Sequence, residues 1–573
     1  MNAARKLRML AVTAHLCLLI GVAQAAPSEQ CAGILQQSGL RGGVACVAGA
    51  WNTGLAMELA REGKFVVCVV DPDAAKIATA RQEMAATGLL GRSVYVLTCD
   101  PAQLPHADNS VDLLVAPKEA ACPDAEILRV LAPVRGRAIV ADRTLTKPAL
   151  PGADDWTHRL HGPDNNPVSN DAAFHMPAML QFLAMPMQTS FQGTLLASDG
   201  LRIEFSDWVT KKPDRAAIAG KMLARSLYNG MILWDRPLPK GIEPDQPIGA
   251  AVAGRIFLAD DASPSVLVID AASGKDLTSI RLSDDSKQRV KWIGIENGRL
   301  HALLGEAKPT RAPLQFMMGK ANKDIRAAQA AAGKIIVAWD LKGEKQLWRH
   351  EEPATIDYRT IALRDGRIYL YSENTRLACL DAQGQIAWEN TGANWLEAMA
   401  RPAAIRNVNI EAVGSLMVGP SGQLRLAVPG GADGLIFNAN NGMLLWQNKA
   451  RAPDTFFVGD RYFTPKGAFE AASGKPAGDG GVVGGGCGIV TWAPGLEKGL
   501  SHVAFGVKSP CGVGAFQAGV AFSNSSVALV HGMSRPIGAH FHIAHGVSNA
   551  ALLAAVTEFS LIGDPVRYAQ IAE

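Results

Sequence analysis

Apolar and polar positions change their rhythm twice along the chain. In the first quarter, short apolar runs alternate with helix-patterned stretches. Gly43-Val44-Ala45-Cys46-Val47 reads as a buried strand, and Leu55 to Arg61 opens a helix. Phe65 to Val70 is a second strand ending in Asp71, and Ser93 to Leu97 is a third that leads into Asp100. Strand and helix in alternation predict a parallel sheet with crossover helices over about residues 31–146. Ligands of such sheets bind beyond the carboxyl ends of the strands, where Asp71 and Asp100 stand.

Beyond a Pro-containing stretch, Lys147 to Pro151, a different unit recurs: an apolar strand, Asp or Asn, a Gly-containing turn, then a strand that often ends in Trp. Its copies are Tyr228-Asn229-Gly230 to Trp234, Val266 to Asp270 with Gly274-Lys275, Val337 to Asp340 with Gly343 to Trp348, Leu377 to Asp381 with Gly384 to Trp388, and Phe437-Asn438 with Gly442 to Trp446. A worn copy runs from Ala468 to Lys475. Intervals of about 40 to 60 residues, each with four short strands, predict a β-propeller of seven or eight blades. Asp or Asn opens the tight turn and Gly supplies its positive φ. The Trp is expected to pack between neighbouring blades. After about Gly514 the rhythm changes again, and Gly514 to Val530 and Ser548 to Phe559 predict apolar helices. The expected fold class is therefore multidomain: α/β over 31–146, a linker over 147–171, an all-β propeller over 172–512, and a short α-helical fragment over 513–573.

Composition narrows the setting. The 573 residues are 48% hydrophobic and 19% charged, and a formal net charge of +3 with no basic stripe gives no reason to expect nucleic acid. Arg5, Lys6 and Arg8, the apolar stretch Met9 to Val22 and the small-residue site Ala23-Gln24-Ala25 form a secretory signal, residues 1–25. The apolar run is too short for a stable membrane span, so no span is expected once the signal is removed. The expectation is an exported protein, periplasmic or extracellular. Of nine cysteines, Cys17 leaves with the signal. Cys487 and Cys511, both in Gly-rich loops, are the pair best placed to join in an oxidising compartment, although sequence does not fix pairing.

Three resemblances follow from these residues. The order of motifs over 31–146 resembles the class I S-adenosylmethionine (SAM) methyltransferases, and its α/β architecture is Rossmann-like. Asp71 stands where that family holds the ribose hydroxyls. Asp100, with Leu104-Pro105, stands where it holds the adenine. Gly49 and Gly54 belong to the first loop, which here reads Ala48-Gly49-Ala50-Trp51-Asn52-Thr53-Gly54 in place of a Gly-x-Gly-x-Gly run. Trp51 is expected to crowd the cofactor, so the resemblance implies a retained scaffold more than methyl transfer.

The Trp-ending repeats resemble those of pyrroloquinoline-quinone (PQQ) alcohol dehydrogenases and of noncatalytic outer-membrane assembly propellers. In the catalytic group the resemblance implies a vicinal-cysteine ring, a Trp and a calcium site around the quinone. This chain has no Cys-Cys pair. The tail, with Val530-His531-Gly532-Met533-Ser534-Arg535-Pro536 and His540-Phe541-His542-Ile543-Ala544-His545-Gly546, resembles the iron-containing alcohol dehydrogenases. That resemblance implies His531 and His545 as ligands to Fe(II) or Zn, with His542 and Arg535 near the metal. An Asp and a further His that complete that shell do not stand out upstream. The expected function is oxidoreductase-like, of the alcohol dehydrogenase class, acting on a small-molecule alcohol. The alternatives are a noncatalytic binding propeller with a protein partner, and a SAM-dependent methyltransferase.

Two further features carry alternative readings. His158 and His161, in Asp154-Asp155-Trp156-Thr157-His158-Arg159-Leu160-His161-Gly162-Pro163-Asp164, have the spacing of two imidazoles on one helical face, which suits a metal. The preferred reading is that, with Asp164, they pin a domain-linking loop by hydrogen bonds. The Gly-rich run Gly480 to Gly488 lacks a following Lys-Ser and reads as a propeller loop, not a phosphate cradle.

Overall fold

The computed structural model describes residues 28–49, 53–62, 64–173, 182, 196–205, 220–240, 242, 248–307, 332–400, 415–427, 434–448, 455–464, 467–477, 490–493, 502–505 and 545–560. The chain divides into two compact units, Met1–Pro148 with Met231–Leu233, and Ala149–Gly230 with Trp234–Glu573.

The first unit is a doubly wound sheet. Its strands are β1 (Gly43–Ala48), β2 (Phe65–Asp71), β3 (Val94–Thr98), β4 (Leu113–Ala116), β5 (Arg137–Val140) and β6 (Arg143–Thr146). They lie in the order β3-β2-β1-β4-β5-β6, parallel except for β6. Four helices join them: α1 (Glu29–Ser38), α2 (Thr53–Glu62), α3 (Ala74–Ala86) and α4 (Asp124–Val130). Asp73 starts α3 because its carboxylate accepts the amides of Ala75 and Lys76. Alternate residues bury on opposite faces: Ala45, Val47, Val67 and Val69 join Leu59 of α2 and Ile77 of α3, whereas Cys46, Ala48 and Val70 join Ile127 and Val130 of α4. Both faces are therefore covered, which is why these strands read as continuous apolar runs.

Between β1 and β4 lies a buried charge. Asp112, fully buried, accepts the Val44 amide at 2.8 Å and the Arg135 guanidinium at 2.9 Å. Its carboxylate lies against Gly43, where a Cβ would come within 2.0 Å of Asp112 Oδ2. Glycine at the mouth of β1 thus makes room for the ion pair.

The second unit is built from four-stranded antiparallel sheets of the blade type. In the first two, Leu196–Ser198 and Gly249–Val252 are the leading strands. Blades three and four share one seven-stranded sheet, because the 20-residue strand Lys345–Arg364 is the last strand of one and the first of the next. Ser415–Val418 leads the fifth blade and Phe456–Val458 the sixth, of which three strands are described. Val490–Ala493 and His502–Phe505 form a further pair. Six blades in five sheets and this pair, among the described residues, stand against the seven or eight blades that the repeat spacing predicts. Leading strands of blades one to five neighbour one another in succession, so they form one inner wall.

In blades one, three, four and five the recurrent Trp joins the blade to the next. Trp388 ends blade four and donates its indole N–H to the carbonyl of Ala439 in blade five at 2.9 Å. Its ring covers Gly442, which has φ 71° and where a Cβ would meet Trp388 Cε3 at 2.5 Å. The same joint is made by Trp234 with Ala271 and Gly274, Trp348 with Ala382 and Gly384, and Trp446 with Ala471 and Gly474. The turn glycine accordingly has two jobs: a left-handed backbone and a seat for the neighbouring indole. The blade-two copy, which carries no Trp in its last strand (Asp276–Arg281), lacks the joint to blade three.

Gly442→Ala should therefore destabilise the protein more than Gly298→Ala. Gly298 has φ 73° with nothing within 4 Å of its Cβ position. Both substitutions carry the left-handed penalty of about 1–2 kcal/mol, and only the first adds overpacking of about 1–3 kcal/mol. Urea midpoints of the two variants measure the difference, and equal midpoints would refute the seat.

Candidate functional site

In the first unit, the sheet brings Gly49, Asp71 and Asp100 to the carboxyl ends of β1, β2 and β3, and Gly54 lies in the first turn of α2. Gly49 has φ 96° and donates its N–H to Val70 O at 2.6 Å. Asp71 is buried and accepts the Asp73 amide at 2.9 Å, while Asp100 is exposed and accepts the Ala102 amide. Ala50, Trp51 and Asn52, the centre of the loop that departs from the methyltransferase pattern, lie outside the described residues.

The most organised constellation is in the stretch that reads as a linker. Residues 154–166 run along the inner wall of the propeller and meet one leading strand after another. Ala197 of blade one donates its amide to Trp156 O at 2.8 Å, and Ala251 of blade two donates to Thr157 O at 2.8 Å. Ile295 of blade three donates to His158 Nε2 at 3.1 Å. Leu363 of blade four donates to Pro163 O at 2.8 Å, and Val418 of blade five to Asp164 O at 2.9 Å. Phe457 of blade six donates to Asn166 Oδ1 at 3.0 Å and accepts from its Nδ2 at 3.0 Å. Asn165 Nδ2 bridges blades four and five by donating to Ile361 O and Leu416 O. One segment is the hub of six blades.

Side-chain pairs hold the hub in shape. His158 and His161 close a tight antiparallel turn, not a helical one, so the metal spacing does not form. His161 Nε2 lies 2.7 Å from Asp154 Oδ2, and its ring meets Trp156 edge-on at 5.3 Å. Burial works against the Asp154 charge, but His161 and the Asn170 amide outweigh it and hold Asp154 below the usual carboxylate range. Asp164 pairs with Arg364 at 2.6 Å, yet burial still pushes its carboxyl upward.

His158 is buried, and burial, aided by the neighbouring His161, lowers its pKa to about 3. Because Nε2 accepts from Ile295, the proton of this neutral ring sits on Nδ1 and points at Thr157 Oγ1, 2.8 Å away. Thr157 Oγ1 in turn donates to His161 O. Sequence reading singled out His158, His161 and Asp164. It missed Asn165, Asn166 and Arg364, for which only the Asp-Asn-Asn run offers a signal.

No group of three or more His, Cys, Asp or Glu side chains placed to hold a metal occurs among the described residues. Of the tail residues, His531, Arg535 and His542 lie outside the described residues, as do Cys487, Cys511 and the run Gly480 to Gly488. His545 begins the helix His545–Ser560. Cys31, Cys46, Cys68, Cys99, Cys122 and Cys379 are free thiols. No described helix is long and apolar enough to cross a membrane.

Two family models match separate stretches of the chain. Residues 331–461, which span blades three to six, match the family described as outer membrane protein assembly factor BamB. The repeats are PQQ-like. Residues 507–573 match the C-terminal part of the Fe-containing alcohol dehydrogenase family. Among curated relatives, 1,3-propanediol dehydrogenase of Citrobacter freundii is 43% identical over 56 residues, 10% of this chain and 14% of that protein. The chain thus spans about one seventh of the length of that relative. Among solved structures, BamB of Moraxella catarrhalis aligns over 53% of this chain and 76% of its own, with 11% identity and a TM-score of 0.31. A quinohemoprotein alcohol dehydrogenase of Pseudomonas putida HK5 aligns over 62% and 76%, with 11% identity and a TM-score of 0.32.

The neutral His158 makes a pH prediction. Its ordinary pKa is 6.5 and its folded value about 3, so the unfolded chain takes up a proton that the folded chain refuses. Stability attributable to this residue is complete above pH 6.5 and falls as pH drops from 6.5 toward 3, by up to about 1.4 kcal/mol per pH unit. His158→Gln should lose stability at pH 7 and should show a shallower decline between pH 6.5 and 4.5. Urea denaturation across that range measures both, and an unaltered slope would contradict the assignment.

Proposed function

We propose that this is an exported binding propeller whose axis is filled by its own chain and is not a quinone site. The observation that carries the reading is the hub: backbone donors of six leading strands are engaged by residues 156–166. The residues present also do not fit a quinone. No two cysteines are adjacent in the sequence, and the indole N–H groups of Trp234, Trp348, Trp388 and Trp446 are taken up by carbonyls of neighbouring blades. The match of residues 331–461 to an assembly-factor family supports a protein partner. The charged-then-apolar start, with its small-residue site, supports a periplasmic or extracellular location.

The test is to titrate the full-length protein with PQQ and Ca²⁺ and follow both melting temperature and alcohol-dependent dye reduction. The expected result is no dye reduction and no rise in melting temperature. A saturable rise of several degrees, which ligand binding to the folded state produces, would sink the reading.

The second reading, favoured by the match of residues 507–573, is oxidoreductase-like. On it, His531 and His545 hold Fe(II) or Zn with His542 and Arg535 nearby, and the metal supplies Lewis-acid polarisation of an alcohol oxygen. Elemental analysis of the purified protein should then show metal that His531→Ala and His545→Ala each remove. Metal content identical in wild type and both variants would rule it out. In the first unit, Gly49, Gly54, Asp71 and Asp100 are the residues that would line a SAM-like site, and we read it as a retained scaffold.

A further inference from the structure

We infer that the inner wall of the propeller is a binding site for an extended, acceptor-rich peptide, and that this chain fills it with its own residues 154–166. The donors come from six blades that are far apart in sequence: Ala197, Ala251, Ile295, Leu363, Val418 and Phe457. They meet their acceptors in chain order. Four acceptors are main-chain carbonyls, one is the unprotonated nitrogen of a neutral imidazole, and one is a carboxamide oxygen. That is the chemistry of a peptide ligand added along strand edges, where main-chain hydrogen bonds supply affinity and a few side chains fix register.

Register here is fixed by three contacts. Asp164 pairs with Arg364, Asn166 exchanges two hydrogen bonds with Phe457, and Asn165 returns donors to the carbonyls of Ile361 and Leu416. Pro163 offers a carbonyl while bringing no N–H of its own into the wall. The turn between His158 and His161 takes up the slack between blades three and four, tied by Asp154.

Two consequences separate this ligand-like hub from an ordinary covering loop. The segment precedes every blade in the chain, so each leading strand finds its acceptor already synthesised. Opening of the wall at any blade is also coupled to the others through one continuous segment. Local fraying should be suppressed, and the six amides should become accessible together.

Hydrogen exchange on the full-length protein tests this. In the wild type, the amides of Ala197, Ala251, Ile295, Leu363, Val418 and Phe457 should exchange slowly and through a common opening. Asn166→Ala removes contacts only at blade six, yet exchange at Ala197 and Ala251 should quicken at least tenfold along with Phe457. Acceleration confined to Phe457 and its strand would overturn the inference, because the segment would then be six independent contacts. If Asn166→Ala does not fold, Thr157→Val, which removes the Nδ1 partner of His158 and the hydrogen bond to His161 O but no side-chain contact at blade six, should quicken exchange at Ile295 and Phe457 together. An effect at Ile295 alone would overturn it equally.

Discussion

A propeller places the first strand of every blade at an edge, with a row of N–H and C=O groups facing the axis and no strand of the same sheet beyond it. Buried main-chain donors left without acceptors each cost about 1–3 kcal/mol, and exposed edges invite unwanted pairing. This chain meets the constraint at six blades with one segment, from Trp156 O for Ala197 to Asn166 Oδ1 for Phe457. The rest of the second unit follows from that arrangement. Successive leading strands must lie at the spacing of the acceptors, and the acceptors must stay neutral and dry. His158 satisfies both conditions: it is buried, unprotonated, and aligned by Thr157.

The hub works along the axis, and the Trp joints work at the rim. Trp388 on Gly442 and Trp446 on Gly474 tie the last strand of one blade to the turn of the next. Each joint combines an indole hydrogen bond with the face of an aromatic ring laid against bare backbone, so removal of either partner spoils both. Where a blade lacks the Trp, as in blade two, the rim joint is missing while the hub contact at Ala251 persists. Blades three and four need no connecting loop at all, since the strand Lys345–Arg364 passes from one to the other.

The rim was legible in the sequence because periodicity exposes it: Asp or Asn, Gly and Trp recur at fixed offsets, and each has its own steric reason. The α/β unit was legible for the same reason, through apolar runs ending in Asp71 and Asp100. The hub was not. Four of its six acceptors are carbonyls, which every residue type possesses, so Trp156, Thr157, Pro163 and Asp164 leave no pattern to find. Its Pro-rich approach reads as a linker, and the spacing of His158 and His161 suggests a helix that the turn at Arg159-Leu160 replaces. The pairing of Gly43 with Asp112 was equally hidden, because a glycine at the start of β1 looks like any other until a carboxylate from the neighbouring strand lies against it.

Two family matches rest on separate residues. The PQQ-like match falls on blades three to six, where the Trp indoles are spent on inter-blade joints. The alcohol dehydrogenase match falls on 507–573, where two of the implied ligands, His531 and His545, stand fourteen residues apart. Among the described residues no group of three or more His, Cys, Asp or Glu side chains is placed to hold a metal. What those residues do bring together is a ring of backbone donors and a peptide that fits it. The edges that line the wall are thus satisfied by an extended segment of the same chain.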